Sequence, residues 1–234
     1  MRKEKILLIL LMCFFMVGCE DKASSHNRRG LLLFNQRKYD ESIAEFHEAL
    51  KLNPELYDAC FNLGIAYYGK GMIDDSEAAL MKAIEINPNE PKAYYNLAFL
   101  YAATNRFGEA ISEYKKAIDL FAAKKDKKEA EGYLYLAATY SLLENHEGAF
   151  AACKKAVEID PDLEEGHYLL GVSYFKRGMF DEAVTELKKA VRLNPKSEKA
   201  RSALSLIYDV LGRTEESKEE NRILRELALE GNRR

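Results

Sequence analysis

The side chains with the clearest chemical potential are four cysteines, Cys13, Cys19, Cys60 and Cys153, and four histidines, His26, His47, His146 and His167. Thiolates and imidazoles act as nucleophiles or metal ligands only where spacing brings them together. No two cysteines stand as CxxC, so neither a zinc ribbon nor a dithiol redox site is expected. The histidines are scattered, and His167 falls in an apolar column, where a packing role is expected rather than metal ligation. HExxH, GxSxG, GxxxxGK[ST] and GxGxxG are all missing. "GKG" at Gly69–Gly71 lacks the rest of a phosphate loop. These residues point to no catalytic site, no cofactor and no metal, and no small-molecule substrate is expected.

Cys19 stands apart because of what precedes it. Arg2, Lys3 and Lys5 make a basic start, and Ile6–Val17 is a run of twelve apolar residues. A membrane-spanning helix needs roughly 20 such residues, whereas a secretory signal needs only ~7–15 behind a positive flank. Length therefore favours a cleaved signal over residues 1–18. The stretch "MVGC", Met16–Cys19, resembles the lipobox of bacterial lipoproteins, with Met16 in place of the usual Leu. The resemblance implies cleavage after Gly18, a diacylglycerol on the Cys19 thiol and acylation of the new amine. Two or more acyl chains give stable anchoring. Residues 19–24 would then be a short lipidated tether, with the chain facing the periplasm or the cell exterior. Glu20 and Asp21 do not decide between inner and outer membrane.

Charge narrows the partners. The totals are 35 basic and 38 acidic residues; losing Arg2, Lys3, Lys5 and Glu4 with the signal leaves 32 and 37, a formal net charge of −5. Nucleic-acid binding requires a basic face, so no nucleic-acid partner is expected. No polybasic patch offers itself to anionic lipid either.

Most of the remaining sequence repeats. "LNP" ends at Pro54, "INP" at Pro88, "IDP" at Pro161 and "LNP" at Pro195, so two pairs of prolines stand 34 residues apart. On that period Leu63, Leu97, Leu136 and Leu170 align, followed by Gly64, Ala98, Ala137 and Gly171, then Tyr67, Tyr101, Tyr140 and Tyr174. Further on, Ser76, Ala110, Ala149 and Ala183 align, and so do Ala83, Ala117, Ala156 and Ala190. The pattern resembles the tetratricopeptide repeat (TPR), across about residues 23–231. The resemblance implies an all-α, right-handed superhelical solenoid of about six helix-turn-helix units. Their bounds would be about 23–56, 57–90, 91–129, 130–163, 164–197 and 198–231. Small residues would sit where paired helices approach most closely, and each unit would bury its apolar face only by stacking. Cys60 and Cys153 occupy packing columns as small buried apolar groups.

Three departures shape the expectation further. His26 and Arg29 replace bulky apolar residues in the first unit, and the last helix, "TEESKEENRILRELALEGNRR", is heavily charged; both fit wet-faced terminal caps. Between the third and fourth units the offset is 39 residues, because "KDKKE", Lys125–Glu129, is extra and Ala122 stands where Pro is expected. A longer helix or a short charged loop should follow.

In the family, the first helices of successive units line a concave groove. Mapped onto this chain, the groove carries Leu31, Phe34, Phe61, Ile65, Tyr68, Tyr95, Phe99, Leu134, Tyr168, Val172 and Phe175. Asn62 and Asn96 take equivalent places, where family members grip an extended peptide backbone. The resemblance thus implies a protein or peptide partner and a non-enzymatic scaffold, tethered in a bacterial cell envelope. A narrower expectation is a pilotin-like assembly factor for a type IV pilus or secretion secretin, and adaptors that recruit peptidoglycan hydrolases share the layout. An enzyme would need an active site among helical repeats, and no constellation supplies one.

Overall fold

The structure is a computed structural model that describes residues 22–231. Cys19, the signal segment and most of the tether lie outside the described residues. Every regular element described is a helix. The chain divides into two compact units, Met1–Asn105 and Arg106–Arg234. The first holds α1 (residues 22–35), α2 (Tyr39–Leu52), α3 (Tyr57–Lys70), α4 (Ile73–Ile86) and α5 (Pro91–Ala103). The second holds α6 (Phe107–Ala123), α7 (Lys128–Leu142), α8 (His146–Ile159), α9 (Glu164–Lys176), α10 (Phe180–Leu193), α11 (Glu198–Val210) and α12 (Thr214–Gly231). Within each unit consecutive helices pack as hairpins, and α3 also touches α5, α7 touches α9, and α9 touches α11. Helix α1 already includes residues 22–24, with Ala23 fully buried, so helix replaces the end of the expected tether.

The Asn-Pro and Asp-Pro pairs end helices by a shared local mechanism. Proline pushes the residue before it out of the helical region. Asn53, Asn87, Asp160 and Asn194 accordingly have ψ of 93, 87, 93 and 92°, while their N–H groups still close the last helical turn. Each then accepts, through its side-chain oxygen, the backbone N–H two residues on: Glu55 at 3.1 Å, Asn89 at 3.3 Å, Asp162 at 3.2 Å and Lys196 at 3.1 Å. That side-chain turn aims the backbone into the next helix.

Inside the hairpins, small residues let the backbones meet. A Cβ on Gly64 would lie 2.7 Å from Leu80 Cγ, and one on Gly171 would lie 2.7 Å from Leu187 Cγ. The Ser76 hydroxyl donates to the Gly64 carbonyl at 2.8 Å, and Ser42 does the same to Gly30 at 2.8 Å. The aligned Gly, Ala and Ser columns are therefore close-approach columns.

Where proline is missing, α6 runs on to 17 residues, against 14 in α4, and its added turn buries Phe121. It stops at Lys125, in the left-handed region at φ 54°, with the Asp126 N–H bonded to the Phe121 carbonyl at 3.0 Å. Of the two outcomes expected from the 39-residue offset, a longer helix or a short charged loop, the chain has the longer helix.

Polar residues in the first, fifth and sixth repeats are paired. His26 Nδ1 lies 2.7 Å from Glu45, and Arg29 Nε lies 3.2 Å from the same carboxylate. His167, only 5 % exposed, holds Glu186 through Nδ1 at 2.6 Å and the Pro161 carbonyl through Nε2 at 2.8 Å. Arg201 repeats the arrangement, to Glu220 at 2.6 Å and the Pro195 carbonyl at 2.9 Å.

Each hairpin turn contains one left-handed residue. Glycine fills it at Gly71, Gly178 and Gly212, whereas Arg37, Asn105 and Glu144 adopt φ of 60, 62 and 56°. Left-handed backbone costs a residue with a Cβ roughly 1–2 kcal/mol. Glu144→Gly should therefore stabilise the chain by about 0.5–1 kcal/mol after the entropy of the freer unfolded chain is counted. Gly71→Ala, with open space around the added methyl, should destabilise by about 1 kcal/mol. Urea titrations followed by circular dichroism measure both; shifts of the same sign would sink this account.

Candidate partner-binding faces

The two units present separate inner faces. In the first, Ile65, Tyr68, Asn96 and Phe99 come together from α3 and α5, around a shallow hollow of about 80 Å³. The Tyr68 and Phe99 rings meet edge-on at 5.6 Å and 76°, and each residue is more than a third exposed. Tyr95, on the same helix, is half-buried.

Other residues expected on this face turn inward. Phe61 stacks on Tyr57 at 5.9 Å and packs against the buried Cys60, Ala83 and Ala93. Phe34 packs on the core around Phe46 and meets Tyr39 at 5.7 Å. The amide of Asn62 donates to Asn27 Oδ1 at 3.0 Å, and that of Asn96 to the carbonyl of Lys92 on its own helix at 2.9 Å. Both asparagines thus have one amide hydrogen committed within the chain.

In the second unit only part of the expected stripe faces a hollow. Leu134 is buried, and Tyr168 and Phe175 pack against the core of α10 and α11. Val172 does face a hollow, of about 870 Å³, between α7, α8 and α9. Leu169 and Ala138 line it too, and both also border a smaller hollow of about 500 Å³ beside Tyr135. Tyr135 and Leu169 stand in the sequence column that carries Asn62 and Asn96. The switch from two amides to two apolar residues in that column was the available signal.

The hollow has a charged mouth. Arg177 pairs with Glu147 at 2.7 Å and lies 4.4 Å over the Phe150 ring. Lys176 and His146 also line the opening. Cys153 forms part of the floor at 2 % exposure, and burial pushes its thiol up to about 11, despite a hydrogen bond with Ser173. Burial raises the Cys60 thiol as well. Both are free thiols, and high pKa values make poor nucleophiles at neutral pH. Among the described residues no group of three or more His, Cys, Asp or Glu side chains is placed to hold a metal ion. None of the described helices is long and apolar enough to cross a membrane.

Repeated helical hairpins with open inner faces define a class of repeat proteins that bind other proteins. Sequence models described as "TPR repeat" match residues 30–71, and others described as "Tetratricopeptide repeat" match residues 57–90, 79–112 and 140–207. The chain belongs to the tetratricopeptide-repeat family. Members of this family are generally non-catalytic scaffolds for protein–protein interaction. No curated protein sequence matches the chain. Among solved structures it is similar to PilF of Pseudomonas aeruginosa, with a TM-score of 0.76 and 11% identity over 90% of this chain and 93% of that one. It is also similar to PilW, described as a widely conserved type IV pilus biogenesis factor (TM-score 0.71, 18% identity, 86% and 91% covered). A third is YrrB, described as a TPR protein with an unusual peptide-binding site (TM-score 0.61, 20% identity, 81% and 98% covered).

The Cys153 thiol makes stability depend on pH. Its ordinary value is 9.0 and its folded value about 11, so the unfolded chain ionises first as pH rises. The stabilisation is complete below pH 9.0 and is lost as pH climbs to about 11. Between about pH 8 and pH 10.5 the natural chain should lose about 2 kcal/mol more than Cys153→Ala, measured by urea denaturation. Equal losses would show that the thiol does not carry the effect.

Proposed function

We propose that this protein is a non-enzymatic adaptor that recruits a protein partner on the inner faces of its repeats while held to a bacterial envelope membrane by lipid on Cys19. The observation that carries the partner reading is the Tyr68–Phe99 pair, two large aromatic side chains left more than a third exposed on adjacent first helices. Aromatic side chains contribute large contact area and dominate many interfaces. The peptide-binding description of YrrB supports a peptide-like ligand. The anchor reading rests on the basic start, the short apolar run and "MVGC". The protein would face the periplasm or the cell exterior.

A pilotin-like assembly factor is the second reading. It is favoured by similarity to PilF and PilW over nearly the full length of each chain. The two readings share an anchor and differ in the partner.

In-cell photo-crosslinking from positions flanking Tyr68 and Phe99, followed by partner identification, tests the adaptor. Tyr68→Ala with Phe99→Ala should cut partner crosslinks at least about tenfold, as expected for loss of two aromatic contacts, with helical content retained. Undiminished crosslinks would remove this face from the account, and recovery of a secretin would select the pilotin reading. Separately, Cys19→Ser should abolish labelling by a fatty-acid probe and leave an uncut precursor. Persistent labelling of that variant would end the lipid-anchor reading.

A further inference from the structure

Three hairpins share a column whose occupant is buried against the close-approach glycine, Gly30, Gly64 or Gly171. Phe46, Leu80 and Leu187 fill it, each 2 % exposed or less. In the fourth repeat the same column holds Cys153, with a single sulfur beyond Cβ. Its neighbours Ala137, Ala149, Ser141 and Ser173 are small as well, so nothing compensates for the missing bulk. The hollow of about 870 Å³ between α7, α8 and α9 is the consequence.

Hollows of this sort do not go unused at no cost. The apolar part of this hollow's wall forfeits dispersion contacts. Leu142, at the rim, is 63 % exposed, which extends the apolar surface outwards. The mouth carries one net positive charge, because Arg177 and Glu147 neutralise each other while Lys176 makes no ion pair among the described residues. An apolar floor beneath a cationic rim is complementary to a bulky apolar side chain next to a carboxylate.

We propose that the hollow of the fourth repeat receives one large apolar side chain of a protein partner, with an adjacent acidic residue of that partner on Lys176. The partner's side chain supplies the filler that Phe46, Leu80 and Leu187 provide in their own repeats. This inference rests on the protein-binding reading above and gives the chemistry of the partner at one site.

The test is a chemical-shift titration of the purified full chain with the peptide Ac-Gly-Phe-Asp-Gly-NH2. The counterparts Ac-Gly-Ser-Asp-Gly-NH2 and Ac-Gly-Phe-Lys-Gly-NH2 serve as controls. The first peptide should shift the methyl signals of Ala138, Leu142, Leu169 and Val172. The Ser peptide should leave them unmoved, and the Lys peptide should bind at least about fivefold more weakly, as like charges at the mouth require. Cys153→Leu, which restores the leucine that Leu80 and Leu187 provide in their repeats, should abolish the shifts. Lys176→Glu lies on the exposed rim, where folding is unaffected, and should reverse the preference between the Asp and Lys peptides. The proposal is overturned if no peptide moves these signals at millimolar concentration, if all three move them equally, or if the Cys153→Leu chain responds as the natural one does. Partner crosslinks at Tyr68 and Phe99 that survive such a result would leave the adaptor reading standing; loss of all partner crosslinks would end both.

Discussion

The close approach of two helix backbones inside each hairpin is the contact on which the other features depend. At Gly64 and Gly171 no Cβ fits, because Leu80 and Leu187 already press on the backbone. The small residue and its bulky counterpart define one another. Each fully buried Leu contributes roughly 1.5–3 kcal/mol, but only if the backbone opposite comes near enough to exclude water. Ser42 and Ser76 strengthen the same contact by bonding to the glycine carbonyls across the hairpin. With the hairpin fixed at that distance, its outer side chains are left to pack on the neighbouring hairpin, which is how a repeat with so little interior of its own becomes stable.

Polar groups at the hairpin seams follow from that packing. His167 and Arg201 each join a glutamate on the second helix of the repeat to the proline carbonyl that ends the preceding repeat. One side chain thereby bridges a hairpin and the turn that leads into it. Sheltered ion pairs such as Arg201–Glu220 contribute little net stability, but losing one partner leaves a charge without compensation. They specify how the helices meet more than how strongly. The exposed pairs of α12, such as Arg222 with Glu219 and Glu226, are solvated and contribute less.

The same structural demands absorb most residue types that could do chemistry. Cys60 and Cys153 are small core groups whose burial opposes ionisation. His26 and His167 are occupied by Glu45 and Glu186. What the described residues leave to solvent on the inner faces is shape and apolar surface: the Tyr68–Phe99 pair in one unit, and the hollow over Cys153 in the other. Recognition of another chain uses such features, and it needs no activated nucleophile.

The sequence alone determined the all-α repeat architecture and the places where Asn-Pro and Asp-Pro end helices. Those are set by local rules that a 34-residue period displays plainly: proline after Asn or Asp, a small column, an apolar stripe. It also located the irregularity after α6, because the absent proline is a local fact, while leaving a longer helix and a charged loop both open. Which aromatic side chains face solvent was decided only by tertiary structure. Phe61, Tyr168 and Phe175 share the periodicity of Tyr68 and Phe99, yet they are drawn against Cys60 and Ala93 or against the core of α10 and α11. A helical stripe is wider than the seam it packs into, so periodicity names the stripe while the neighbouring helix chooses which edge of it to cover. The hollow in the fourth repeat lies between these cases. Cys153 is visible in its column, but a small residue becomes a cavity only if the residues around it fail to close the space, and that is a property of three helices together.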